Sequence, residues 1–174
     1  MTSRFQACLQ IVLGNEGGYV DNKADRGGRT NFGVTQGTYN TYRIKRGKQY
    51  MPVSEIEQDE VEAIYHEYWK DGHCAVIPEP VDLCVFDTAI NSGASRAIKL
   101  LQRSLGIGED GLYGPATASA IREEVMIDGA KQLALLYLNE RAEFFSRIVE
   151  RDESQWVFLD GWMNRINHLK ELIA

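Results

Sequence analysis

Apolar residues recur with helical spacing along most of the chain, beginning at its N-terminus. Four of them fall three or four positions apart in the first segment: Phe5, Cys8, Leu9 and Val12. This spacing places them on one face of a helix, and the pattern ends near Gly14.

Two further helices are predicted before residue 93. Ser54, with Glu57 three residues later, forms a capping box, and the apolar positions over 61–68 continue the helix that it would start. A helix from about residue 80 to residue 91 carries few charges, which indicates a buried central element. Gly93 is placed to end this helix in a left-handed cap.

The C-terminal half is predicted to be helical throughout. An amphipathic helix over 95–105 precedes a turn, after which Pro115 fits the first turn of a new helix because no N–H is needed there. Asp128 is placed to cap a long helix that reaches about Val149, and a last helix covers roughly 155–172. Since no repeat or linker interrupts the chain, we expect a mainly α domain with a small β-hairpin near its N-terminus.

A glycine-rich stretch separates the first two helical segments. Residues 15–35 are NEGGYVDNKADRGGRTNFGVT and include five glycines. The pair at 27–28 is the expected turn of a ribbon, and residues 31–34 are predicted to form a short strand.

The composition narrows the classes of function. A chain of 174 residues can bury a core, and 44% hydrophobic content is ordinary for a globular protein. Its net charge of −6 argues against a nucleic-acid-binding face and against electrostatic attachment to an anionic membrane. No run approaches the ~20 apolar residues of a membrane span, so no stable membrane insertion is expected.

The cysteines and the N-terminus indicate a reducing compartment. Cys8, Cys74 and Cys84 lie in or beside apolar stretches and make an odd number, so we expect reduced, buried thiols. The first 18 residues are a poor signal peptide, because glutamines interrupt their apolar stretch. The protein is therefore expected to be cytoplasmic as synthesised.

Carboxylates in the glycine-rich stretch are candidates for catalysis. Glu16 follows the predicted helix end, where the helix dipole disfavours the ionised form and burial would raise the pKa further. A carboxylic acid that keeps its proton near neutral pH suits a general acid. With Asp21 or Asp25 as a second carboxylate and Thr30 to orient water, the stretch holds the groups of a glycosidase. An ordinary turn rich in Asp and Gly is the other interpretation.

Four groups of residues follow one another in a pattern that covers nearly the whole chain. They are EGGY at 16–19 with GGRTNFGVT at 27–35; Asp87 with NSGASRA at 91–97 and Leu101-Gln102; Asp110-Gly111, Gly114-Pro115 and Thr117; and Arg141, Phe144, Phe145, Phe158-Leu159, Gly161-Trp162 and Arg165. Together they resemble the bacterial and phage N-acetylmuramidases of glycoside hydrolase family 108.

The resemblance implies a lysozyme-like helical fold that hydrolyses the β-1,4 bond between N-acetylmuramic acid and N-acetylglucosamine, with no cofactor and no metal. The family's catalytic glutamate maps onto Glu16. In phage-type lysozymes eight residues separate this Glu from an Asp, and a Thr follows a few residues later. That spacing favours Asp25 over Asp21 and adds Thr30, although the second gap is one residue short.

The resemblance also divides the chain and names its partners. Residues 1–92 would be the catalytic region with the β-ribbon, and residues 93–174 a peptidoglycan-binding region packed with it as one globular unit. The expected partner is the glycan strand of peptidoglycan, reached in the periplasm or cell wall through a holin-like pore or an export partner, as for a bacteriophage or prophage endolysin. A lytic transglycosylase and a non-catalytic wall-binding or secretion-assisting protein stay open as alternatives.

Five further side chains are candidates for binding the substrate: Tyr19, Asn31, Phe32, Asp87 and Asn91. The two aromatic rings would stack on sugar rings or belong to the core. Asp87 and Asn91 share a helix face and would line a saccharide groove or bond to the ribbon backbone.

Three other stretches have both an ordinary and a functional interpretation. Residues 110–115 are a structured turn with a helix cap, or a contact with the wall. The basic residues 43–46 are a solvated loop, or a surface for acidic stem peptides. His66, His73 and Cys74 match no standard zinc spacing and are expected to pack at a helix end.

Overall fold

The structure is a computed structural model that describes residues 3–15 and 30–174. That part of the chain forms eight α-helices and one two-stranded hairpin. The elements in order are α1 (Arg4–Asn15), β1 (Thr30–Asn31), β2 (Val34–Thr35), α2 (Gln36–Lys45), α3 (Gln58–Asp71), α4 (Val81–Ser92), α5 (Ala94–Ser104), α6 (Pro115–Ile127), α7 (Ala130–Arg151) and α8 (Trp156–Ile173). Short 3₁₀ turns lie at Val53–Glu55, Cys74–Val76 and Glu153–Gln155. The predicted mainly α fold with a small hairpin is confirmed.

The chain divides into two compact units, Met1–Glu67 and Tyr68–Ala174, and the boundary falls inside α3. Cys8, Cys74 and Cys84 are buried as reduced thiols, as the sequence predicted. None of the helices in the described part of the chain is long and apolar enough to cross a membrane.

The first unit buries the predicted apolar face of α1. Each of its four residues is at most 9% exposed: Phe5, Cys8, Leu9 and Val12. The helix ends at Asn15, one residue beyond the predicted end at Gly14.

Helix α2 contains residues 43–45, which belong to the basic run that the sequence interpreted as a solvated loop or a surface for stem peptides. Thr35 caps this helix, since its Oγ1 accepts a hydrogen bond from the N–H of Thr38 at 3.1 Å. Tyr39 and Tyr42 lie nearly one turn apart and are buried. Two buried tyrosines in an otherwise polar segment are a weak apolar pattern, so the composition concealed the helix. Arg46 follows the end of α2, and its guanidinium carbon lies 4.0 Å from the centroid of the Tyr42 ring.

Helix α3 begins later than predicted. Residues Val53–Glu55 form a 3₁₀ turn and Ile56 is extended, so Ser54 does not cap the helix. Val53 is fully buried, and its N–H donates to Gln36 Oε1 at 2.7 Å. This burial draws the segment into the core and delays the helix until Gln58.

Glu60 is a buried carboxylate that joins α2 to α3 in the first unit. Arg43 Nη1 lies 3.0 Å from its Oε1, Lys48 Nζ lies 2.7 Å from the same oxygen, and the Tyr39 hydroxyl donates to Oε2. Burial by itself would raise the pKa of Glu60. The hydrogen bonds from Lys48 and Tyr39, with the positive charges, outweigh it and hold the pKa below its ordinary value. Burial and the bond to Glu60 raise the pKa of Tyr39 to about 12.

The second unit is built around α4. Every residue from Val81 to Ala89 is buried, and the helix packs against α5 and α7. Gly93 ends the helix as predicted, and its N–H donates to Ala89 O at 2.9 Å. Its φ of 86° and ψ of 150° are not the left-handed helical cap that was predicted. This combination of angles is essentially restricted to glycine.

Gly129 occupies the position before α7 that the sequence assigned to Asp128. Asp128 instead ends α6, where its N–H donates to Glu124 O at 2.9 Å. Its backbone is near-helical there, whereas an aspartate cap needs an extended backbone. Pro115 is the first residue of α6, as predicted, and α8 packs along α7.

We expect Glu60→Gln to lower the free energy of unfolding at neutral pH by about 1–3 kcal/mol, because the cationic donors around it lose their carboxylate. Glu67→Gln, which removes the exposed partner of Arg46, is the control and should cost under about 1 kcal/mol.

The same substitution tests how the contribution of Glu60 to the free energy of unfolding depends on pH. Because the pKa of Glu60 is lower in the folded state, its contribution is present above its ordinary pKa of 4.5 and is lost as the pH falls towards the folded value. Urea denaturation across the acidic range should therefore show a shallower loss in Glu60→Gln than in the wild type. Identical pH profiles would contradict the assignment.

Candidate functional site

The end of the glycine-rich stretch is a tight hairpin. Thr30 pairs with Thr35 and Asn31 with Val34 in an antiparallel ladder. Phe32 and Gly33 between them have φ of 50° and 72°, and positive φ at both central residues is the mark of a type I′ turn. The sequence predicted one strand over these residues, whereas the turn divides them into two.

Phe32 adopts a left-handed backbone that costs a residue other than glycine about 1–2 kcal/mol. Two hydrogen bonds hold the hairpin in this form. The Tyr65 hydroxyl donates to Phe32 O at 2.7 Å, and Asn31 Nδ2 donates to Val53 O at 3.3 Å. The surrounding unit therefore imposes the turn on the chain.

The predicted site residues on the hairpin differ in how far their side chains are exposed to solvent. Asn31 is 8% exposed and its side chain supports the turn, whereas the Phe32 ring is 37% exposed. Thr30 is half-buried at the start of β1. The catalytic candidates Glu16, Asp21 and Asp25, and the aromatic candidate Tyr19, lie outside the described residues.

Asp87 lies in a buried ion-pair cluster in the second unit. Arg141 Nη1 is 2.6 Å from Asp87 Oδ2, and Arg165 Nε is 2.7 Å from Oδ1. The side chains of Asp87 and Arg141 are 0% and 1% exposed. A buried carboxylate needs such partners, and here they tie α4 to α7 and α8.

This arrangement bears on the two roles that the sequence left open for Asp87. Both of its oxygens are bound by arginines and none of its surface is exposed, so a direct contact with a saccharide has no free atom to use. Asn91, one turn further along α4, is exposed, and its Oδ1 accepts a hydrogen bond from Ser92 Oγ at 2.9 Å. Of the two side chains, Asn91 alone is accessible to a ligand.

Comparison with known families accounts for both parts of the chain. A family described as Glycosyl hydrolase 108 matches residues 9–93, and one described as a Predicted Peptidoglycan domain matches residues 96–167. Residues 9–93 of the chain belong to glycosyl hydrolase family 108. The protein is a glycoside hydrolase that acts on peptidoglycan.

The fold is similar to a solved structure described as "Structure of Brucella abortus SagA", with a TM-score of 0.81 and 28% sequence identity. The similarity covers 97% of this chain and 92% of that chain. Among curated proteins, none matches the sequence.

The family boundaries and the compact units fall at different places. The two family matches meet between residues 93 and 96, whereas the units divide at Glu67 and Tyr68. The predicted functional division at 92/93 stays a prediction.

The peptidoglycan region of this family member contains the structured turn predicted after residue 105. Gln102 Nε2 donates to Asp110 Oδ1 at 2.6 Å, and its Oε1 accepts from the N–H of Gly111 at 2.8 Å. The N–H of Leu112 also donates to Asp110, and these bonds hold the pKa of Asp110 below its ordinary value. Gly111 has φ of 76°, and a Cβ there would lie 2.6 Å from Ser95 Oγ. The turn interpretation of residues 110–115 is confirmed.

The histidines near the middle of the chain pack against aromatic rings. His66 meets the edge of Phe5 with ring centroids 4.9 Å apart, and His73 stacks on Tyr113 at the same distance. Within residues 3–15 and 30–174, no group of three or more His, Cys, Asp or Glu side chains is arranged to hold a metal ion.

We expect Asp87→Asn to lower the free energy of unfolding by about 3–5 kcal/mol, because it leaves the buried guanidinium of Arg141 without its counter-ion. Glu143→Gln breaks an exposed pair with Arg147 on the same helix as Arg141 and should cost under about 1 kcal/mol. Chemical denaturation measures both. A loss for Asp87→Asn no larger than for Glu143→Gln would show that the buried cluster does not support the packing.

We expect Tyr65→Phe to lower the free energy of unfolding by about 0.5–1.5 kcal/mol and to lower peptidoglycan hydrolysis, because the hairpin loses the bond to Phe32 O. Tyr42→Phe is the matched control, since Tyr42 is a buried residue whose hydroxyl forms no hydrogen bond with the described part of the chain. Denaturation and the release of soluble fragments from peptidoglycan are the measurements. Equal behaviour of the two variants would argue against the anchoring role.

Proposed function

We propose that the protein is an N-acetylmuramidase that hydrolyses the β-1,4 bond between N-acetylmuramic acid and N-acetylglucosamine. The observation that carries this proposal is the family match over residues 9–93, which spans the glycine-rich stretch and its hairpin. The peptidoglycan region over 96–167 supplies the substrate class. A lysozyme-like arrangement, with the carboxylates on the ribbon, is part of the same proposal.

We assign the general acid to Glu16, which would protonate the glycosidic oxygen as the bond breaks through an oxocarbenium-like transition state. In the chain it directly follows Asn15, the last residue of α1. No basic side chain lies in the last turn of α1 to neutralise the carbonyl dipoles at that end. A proton donor suits such a position better than a permanent anion does.

Asp25 and Thr30 complete the proposed catalytic group. Asp25 would stabilise the positive charge that develops on the sugar or position the attacking water, and Thr30 would help to orient that water. Thr30 opens β1, so the anchors of the hairpin also limit the movement of its backbone. A hydrolase must hold a water molecule, whereas a transglycosylase uses a hydroxyl of the sugar itself.

Substrate contacts are proposed for three side chains: Tyr19, Phe32 and Asn91. The exposed Phe32 ring is suited to the apolar C–H face of a pyranose, and Asn91 offers an exposed amide. Asn31 and Asp87 act indirectly, by supporting the hairpin and the helices.

The setting that fits this activity is the periplasm or cell wall. We propose an endolysin-type role, with a holin-like pore or an export partner that gives the enzyme access to peptidoglycan. Wall lysis by the induced protein that requires a co-expressed pore or export partner would support this route. Lysis in the absence of both would contradict it.

Mass spectrometry of the fragments released from purified peptidoglycan tests the reaction. Hydrated reducing ends at muramic acid are expected from the wild type. Glu16→Gln should reduce their release by about 10²–10⁴-fold, the usual contribution of a general acid. Glu55→Gln, a change at an exposed glutamate in the 3₁₀ turn, is the control and should retain activity.

The chemical form of the ends of the released fragments distinguishes the alternative functions. Anhydro ends would make the protein a lytic transglycosylase and leave Asp25 and Thr30 with structural roles. No fragments from the wild type on several wall types would contradict catalysis and favour a binding protein.

A further inference from the structure

A cavity of about 270 Å³ lies where α7 ends and α8 begins. Six residues line it: Ser146, Val149, Glu150, Glu153, Trp156 and Leu159. All six fall within the region that matches the Predicted Peptidoglycan domain. None of them belongs to the hairpin or to the cluster around Asp87.

Trp156 is presented to solvent by a well-defined turn. Its side chain is 60% exposed, although tryptophan is usually largely buried. The N–H of Gln155 donates to Asp152 O at 3.0 Å, and the N–H of Ser154 donates to Asp152 Oδ1 at 3.0 Å. The exposed ring therefore belongs to the first residue of α8, and the hydrogen bonds to Asp152 fix where that helix begins.

A second tryptophan on α8, Trp162, is packed against other rings, unlike Trp156. Trp162 stacks on Phe145 with ring centroids 4.5 Å apart, and on Phe158 at 5.9 Å. That ring is part of the packing between α7 and α8. Trp156 has no such ring contact in the described part of the chain, and its face is available to a ligand.

The cavity combines an apolar floor with a polar rim. Val149 and Leu159 line the cavity together with Trp156, and Val149 is 5% exposed. Ser146 Oγ donates to Ala142 O at 3.1 Å, which leaves the hydroxyl oxygen as an acceptor. A flat apolar face beside a few acceptors is the lining that a pyranose ring requires, since its C–H face is apolar and its edge carries O–H and N–H donors.

The charges on the rim select the kind of occupant. The side-chain carboxylates of Glu150 and Glu153 form no ion pair or hydrogen bond with any residue of 3–15 or 30–174. Two uncompensated carboxylates repel the acidic stem peptide but accept hydrogen bonds from the hydroxyl and acetamido groups of a neutral sugar. The volume is below the range of pockets for larger ligands, so it suits a single ring.

We propose that this cavity is a saccharide subsite that binds one N-acetylglucosamine ring of the glycan strand, with Trp156 as the stacking platform. The proposal rests on the proposed function, because it names how the peptidoglycan region holds the substrate. It adds a contact made by residues of α7 and α8, none of which is a catalytic candidate.

The indole N–H signal of Trp156 in the full-length protein tests this subsite directly. Trp156→Phe identifies the signal by its disappearance, and the signals of Trp69 and Trp162 serve as internal references. Titration with the tetramer of N-acetylglucosamine is expected to shift the Trp156 signal saturably. An alanine- and glutamate-containing stem peptide should leave it unchanged.

Retention on purified peptidoglycan gives a second measurement. Trp156→Ala is expected to bind at least about tenfold more weakly, as truncation of an aromatic anchor does. Val157→Ala, at a 78% exposed neighbour outside the cavity lining, is the control and should bind like the wild type. Because Trp156 is exposed, circular dichroism should show that both variants fold.

Several results would overturn the subsite. These are a Trp156 signal that does not respond to the tetramer, a response to the stem peptide alone, or self-association that Trp156→Ala abolishes. Failure of the proposed function is distinguishable, because a saturable shift requires no catalysis. A shift in a protein that releases no fragments would retain the subsite and reject the hydrolase.

Discussion

The packing of the second unit depends on the buried carboxylate of Asp87 and on the charged partners that bind it. Taking a carboxylate out of water costs several kcal/mol unless charged partners bind it, so α4 can be the buried centre only because Arg141 and Arg165 reach it. These partners come from α7 and α8, and the same contacts that compensate the charge therefore fix the positions of both helices. The start of α8, where Trp156 is exposed, belongs to this arrangement.

The hairpin of the first unit shows a related constraint at the level of the backbone. Phe32 adopts a conformation that its own chemistry disfavours, and the bond from Tyr65 and the bond from Asn31 to Val53 maintain it. Strain that persists because the surroundings impose it is common at functional sites. Here it directs a partly exposed aromatic ring beside Thr30, at the end of the stretch that carries the catalytic candidates.

The negative net charge of the protein bears on how it could recognise its substrate. A chain with a net charge of −6 cannot rely on bulk attraction to an acidic wall. Exposed aromatic rings and acceptors suited to neutral sugars avoid this difficulty, because they recognise the glycan and tolerate the negative charge of the protein. Phe32 in the first unit and Trp156 in the second are both consistent with recognition of this kind.

The sequence by itself determined the helices with a strong apolar period or an apolar interior, such as α1 and α4, because burial of one face requires that spacing. Its motifs also determined the family. Tertiary structure alone decided the rest. Helix α2 depends on the Thr35 cap and on burial of tyrosines that a polar segment conceals. The sequence left the role of Asp87 open because its arginine partners stand 54 and 78 residues away in the chain, beyond the reach of any local pattern.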